Sequence, residues 1–82
     1  MDNQAQNSRE MTFGEKAVGL TFNPSNNEAV QQLKEKAAAF IDNCNDFRNA
    51  TEDNKVKRML SVAITEAQTA QMWAVKAVTW NL

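Results

Sequence analysis

Phe22-Asn23-Pro24-Ser25 sets an aromatic ring and an amide just ahead of a helix start. A ring in such a loop either closes over a core or offers a stacking platform, which accepts any base because every base has a π-face. Asn23 can add hydrogen bonds to a base edge or a ribose, and the helix start that follows is a favourable place for an anion. Lys34 lies one turn beyond Val30, beside an apolar stripe. Its stem can cover apolar surface while its ammonium reaches a solvated rim, or the ammonium can meet an anion at a subunit boundary. Arg58 leads a polar line, Arg58, Ser61, Thr65 and Thr69, at helical steps. A guanidinium and hydroxyls on one face can hold phosphate or ribose; otherwise the hydroxyls bond back to their own helix. Lys76, with Met72, Trp73, Thr79 and Trp80 as helical neighbours, suits cation–π packing or a phosphate contact. Phe13 has the same alternatives as Phe22.

Enzyme chemistry finds few carriers. There is no histidine, and the single cysteine, Cys44, has no partner for a disulfide. The usual metal ligands and acid–base groups are therefore missing. Asp42, Asp46 and Glu66 have no mate placed by spacing, and no glycine-rich phosphate loop occurs. No catalytic residue, metal ligand or cofactor is assigned. A net charge of −1 gives no global attraction to long nucleic acid. No apolar run reaches the roughly 18 residues of a membrane span, and Met1-Asp2-Asn3-Gln4 carries no signal-peptide core. A reducing, cytoplasmic setting is expected.

The positioning elements follow from periodicity. The 82 residues, 43% hydrophobic, suffice for one small domain: a mobile tail over 1–11 and a helical-hairpin domain over 12–82. Thr12-Phe13-Gly14-Glu15 has capping-box spacing and starts a short helix to about Gly19. Pro24 keeps the preceding residues out of helix. Ser25-Asn26-Asn27-Glu28 is a second capping box, opening a helix over about 26–49. Its stripe runs through Val30, Leu33, Ala37, Phe40, Cys44 and Phe47. After a polar break over 49–53, Thr51 can cap, with Glu52 and Asp53 in the first turn. A second stripe, Val56, Met59, Leu60, Ala63, Ala67, Ala70, Trp73 and Ala77, carries a helix to about Thr79. The expected fold is all-α: an antiparallel two-helix hairpin with a short N-terminal helix. Ile64, Met72, Val75 and Val78 fall off the second stripe, so that helix is apolar on more than one face. So small a chain cannot cover it alone, and a homo-oligomer of closed symmetry is expected.

Three segments in this order resemble a known family: Val18 to Pro24 (VGLTFNP), Val30 to Asp42 (VQQLKEKAAAFID) and Ala63 to Thr79 (AITEAQTAQMWAVKAVT). They look like the small phage helical-hairpin family of anti-CBASS and anti-Thoeris cyclic-nucleotide sponges, over about residues 15 to 80. The resemblance implies a protein that binds bacterial immune second messengers without cleaving them, in the cytoplasm of the infected host. It implies a hexamer, with cyclic dinucleotides or cyclic ADP-ribose isomers between paired subunits and cyclic trinucleotides in separate pockets on threefold axes. It places Lys34 at the ligand-contacting lysine of the first long helix. Phe22 and Asn23 match the N-terminal aromatic and its polar neighbour, and Arg58 and Thr65 fall at the axial pocket. The chain has no tyrosine, an aromatic that some members use. The competing reading is a structural or protein-binding helical module with no nucleotide ligand.

Overall fold

The computed structural model describes residues 9–82; the tail expected over 1–11 lies outside them except for 9–11. All regular structure among the described residues is helical: α1 (Phe13–Val18), α2 (Glu28–Ala50) and α3 (Asn54–Val78). No helix among them is long and apolar enough to cross a membrane.

Local chemistry accounts for the boundaries. Thr12 Oγ1 accepts from the Glu15 N–H at 3.1 Å, and Glu15 Oε1 accepts from the Thr12 N–H at 2.9 Å, so the expected capping box forms. The Thr12 N–H, and then the Arg9 guanidinium, hold the Glu15 carboxyl below its ordinary range. Gly19 closes α1 with φ of 63°, in the left-handed region that suits glycine. The second capping box does not form. Asn27, not Ser25, caps α2, its Oδ1 accepting from the Val30 N–H at 3.0 Å. Asn23 braces this cap from both sides of its amide: Oδ1 accepts from the Asn27 N–H at 3.1 Å and Nδ2 donates to the Asn27 carbonyl at 3.0 Å. At the hairpin loop, Thr51 ends α2 and Asp53 caps α3, with Oδ1 accepting from the Lys55 N–H at 2.8 Å. The break is thus 51–53, shorter than 49–53, because α2 runs on to Ala50.

The core is Val18, Ala38, Ile41, Cys44 and Ile64, with Ala17, Leu20, Ala37, Leu60, Ala63 and Ala67 packed against it. Alanines on both long helices leave room for close approach. Two expectations about helix phase are corrected. On α2 the buried line is Val30, Lys34, Ala38, Ile41 and Cys44, while Phe40 and Phe47 are exposed. On α3 Ile64 is a core residue and Gln71 is buried, whereas Met59, Ala70, Trp73 and Ala77 face outward. In each helix a polar residue occupies an inner position, so a stripe traced through apolar types alone rotates away from the true face. The protein measures 12 Å along its shortest axis. α1 packs on both long helices, through Val18 in the shared core and through the Gln68 amide, which donates to the Ala17 carbonyl at 3.3 Å, and the rest of the hairpin surface stays open.

α1 is fastened to α2 by backbone proximity. The Gly14 N–H donates to Asp42 Oδ1 at 2.7 Å. A Cβ at Gly14 would overlap the Ala38 carbonyl and lie 2.9 Å from Asp42 Oδ1. Gly14→Ala is expected to lower stability by about 1–3 kcal/mol, the range for overpacking, with loss of α1 docking. Chemical unfolding of the variant against the wild-type chain checks this, and equal midpoints would refute the close approach.

Candidate functional site

Gly19 ends α1, and the chain turns at once: the Phe22 N–H donates to the Gly19 carbonyl at 2.9 Å. The turn aims two carbonyls inward, and Lys34 meets both. Its Nζ donates to the Phe22 carbonyl at 2.6 Å and to the Gly19 carbonyl at 2.9 Å. Lys34 is only 5% exposed, so it is neither a solvated edge residue nor a snorkelling one. The same ammonium lies 5.5 Å from the centroid of the Phe22 ring. That ring is 74% exposed, so it does not close over the core. One face is left for another flat group.

No carboxylate among the described residues pairs with Lys34; the ion pair present there joins Arg9 to Glu15 at 3.1 Å. A buried cation held by carbonyl dipoles keeps its net positive charge. An ammonium has three donors, and two are engaged. Phe22 and Lys34 share a recess of about 550 Å³ whose lining includes Lys16, Gly19, Gln68, Gln71, Met72 and Val75. This volume lies within the usual range for small-molecule sites. A smaller hollow of about 240 Å³ lies across the turn, bordered by Phe22, Asn23, Lys34, Val75, Thr79 and Leu82.

The other expected site residues fall elsewhere. Asn23 borders the smaller hollow, but its amide is committed to the Asn27 backbone. Arg58 and Thr65 are exposed on α3 and line neither hollow. They lie seven residues apart, so both project from one face about 10 Å apart along the axis. The polar line is split: Ser61 accepts from Arg48 at 2.9 Å, and the Thr69 hydroxyl donates back to the Thr65 carbonyl at 3.2 Å. Lys76 makes the cation–π packing allowed for it, with Nζ 5.5 Å from the Trp73 ring and 6.0 Å from Trp80. Phe13 begins α1, half exposed, beneath the Arg48 guanidinium at 5.6 Å. The pattern of residue types did not single out Lys16, Gln68 or Gln71 as lining. The signal for Gln71 was its spacing of seven from Ile64, the counterpart of Lys34 and Ile41 on α2.

A buried cation with no carboxylate partner beside an exposed ring has the chemistry to attract a small aromatic anion. Residues 15–79 match the family model described as Acb2/Tad1, hairpin domain. The chain belongs to the Acb2/Tad1 hairpin family. These are the anti-CBASS and anti-Thoeris sponges, the family that the three segments resemble. No curated protein and no solved structure matches the chain. The Acb2/Tad1 hairpin is a sequestering domain and not a known enzyme family. The matched span takes in the hairpin, the turn and all five expected site residues.

Because Lys34 holds the turn, replacing it should disturb structure before any ligand is added. Lys34→Met keeps the stem and removes the donors, leaving two carbonyls without their charged partner. A stability loss of about 2 kcal/mol or more is expected from bonds of this kind. Urea unfolding of the free protein measures it. An unchanged midpoint would show that the turn is held by other contacts.

Proposed function

We propose that this protein sequesters cyclic dinucleotides, and in a separate pocket cyclic trinucleotides, without cleaving them, as a homo-oligomer. The observation that carries this reading is the exposed Phe22 ring set against the buried Lys34 ammonium, in a chain of the Acb2/Tad1 hairpin family. The ring stacks on a base, and the ammonium, with Lys16 at the mouth of the recess, attracts the phosphates. Charge-assisted bonds from lysine to phosphate are stronger than neutral ones. Asn23 contributes by fixing the α2 cap next to the ring. Arg58 and Thr65, together on the outer face of α3, form the second pocket once copies of that face meet around an axis. The working place of such a sponge is the cytoplasm of an infected bacterium, where its ligands are made.

Assembly is part of the function. The recess is open to solvent beside the exposed Phe22 ring, whereas small-molecule sites cover most of their ligand. Trp73 is 67% exposed and Trp80 is 71% exposed, with Met72 and Val78 also exposed on α3. Trp73, Trp80 and Met72 gather around Lys76, and exposed apolar groups clustered in this way mark an interaction site. A second copy covers it and completes the recess; six copies are the number we adopt from the family resemblance.

Incubation with a panel of cyclic oligonucleotides, heating to release them and mass analysis tests the reading. Intact ligand is expected. Cleaved ligand would make the protein an enzyme, and no ligand would favour a structural or protein-binding module. Phe22→Ala should weaken cyclic dinucleotide binding about five- to a hundredfold, from the usual value of one base stack, and spare cyclic trinucleotides. Thr65→Arg should do the opposite. If either variant, folded and assembled, loses both ligand classes, the pockets are one.

Light scattering tests assembly independently. The wild-type chain should be oligomeric at micromolar concentration. Trp73→Asp should dissociate it, because an unpaired charge would be buried at the contact. A wild-type monomer would overturn this part of the proposal.

A further inference from the structure

Two polar side chains occupy inner positions of the long helices, Lys34 on α2 and Gln71 on α3. Both line the same recess. Lys34 is explained by its carbonyl partners. Gln71 is 8% exposed, yet no residue among those described donates to or accepts from its amide. Its neighbour Gln68 differs, since Nε2 donates to the Ala17 carbonyl at 3.3 Å. Every fully buried side-chain nitrogen or oxygen among the described residues has a partner. The amide of Gln71 therefore keeps its remaining accessible surface at the hollows it borders. One is the recess with Phe22 and Lys34; the other is a shallower one beside Phe40 and Ala67. Only the first combines an open aromatic face with a buried cation.

An amide this deeply placed, with no protein partner, is unfavourable for folding, because it has lost most of its water and gained no bond in exchange. An apolar side chain there would pack as well. We infer that Gln71 is a specificity-determining residue that hydrogen-bonds the edge of the nucleobase stacked on Phe22. An amide presents a donor beside an acceptor. Nucleobase edges with an acceptor beside a donor, such as N7 and the N6 amino group of adenine, are met by glutamine with two parallel bonds. The ring would hold the base by its face, the lysine would hold the phosphate, and Gln71 would sense which edge is offered. This assignment rests on the cyclic-nucleotide reading above.

Titration of cyclic di-AMP and cyclic di-GMP into the full chain and two variants tests it. Gln71→Met keeps side-chain length and loses all hydrogen bonding; Gln71→Glu keeps the shape and loses the donors. Both should bind the preferred ligand about tenfold or more weakly, the usual worth of a bidentate base contact, and the preference between the two ligands should narrow. The ligand-free Gln71→Met protein should melt at the same temperature as wild type or higher, with its oligomer intact. A lower melting temperature or a dissociated oligomer would assign Gln71 to folding or subunit contact and overturn the inference. So would binding by both variants as tight as wild type. A wild-type chain that binds neither ligand would also overturn the assignment of Gln71 to these base edges, whereas the cyclic-nucleotide reading itself falls only if the whole panel above goes unbound.

Discussion

The ammonium of Lys34 is the fixed point of this small structure. Its bonds to the Gly19 and Phe22 carbonyls tie the end of α1, the following turn and the middle of α2 into one unit. A lysine is rarely buried without a counter-charge, and here carbonyl dipoles supply the compensation. The consequence is a double role. The same group that shapes the turn also places positive charge behind the Phe22 ring. Loss of ligand binding on removing Lys34 therefore cannot by itself be read as loss of a phosphate contact, since the ring it supports would move as well.

Helix order and the first capping box were legible in the sequence because they depend on neighbours in the chain. Thr12 and Glu15 satisfy each other across one turn, and Pro24 ends any helix before it. Spacing alone puts the N-cap of α2 two residues early, because Ser25 has Glu28 three residues on whereas Asn27 has Val30. The brace from Asn23 to Asn27 decides for Asn27, and a pattern of single residues does not contain it. Helix phase failed for one reason twice over. A stripe drawn through apolar residues passes by Lys34 to reach Leu33 and Phe40, and passes by Gln71 to reach Ala70 and Trp73. Local rules commonly break at functional positions, and these two residues line one recess. Of the five expected site residues, Phe22 and Lys34 meet there. Asn23 adjoins them with its amide already used, and Arg58 and Thr65 lie apart on α3.

Thinness links the fold to the function. A domain normally closes its core between two packed layers; here α2 and α3 form one, and only the six-residue α1 and the turn after it pack on it. Small alanines between the helices keep that layer tight, while the larger apolar groups point outward. Ring, cation and recess are consequently on a surface that another copy can reach. In a thicker monomer the same side chains would be spent on the protein's own interior.

The two tryptophans have an experimental consequence. The chain has two of them and no tyrosine, and both lie at the far end of α3, exposed and near the Lys76 ammonium. Near-ultraviolet absorbance and intrinsic emission therefore come from a single patch at that end. Their colour and intensity report whatever covers the patch. Helix content, followed by circular dichroism, and tryptophan emission thus observe different events in this protein, and a denaturant at which the two separate marks uncovering of the α3 end before the hairpin melts.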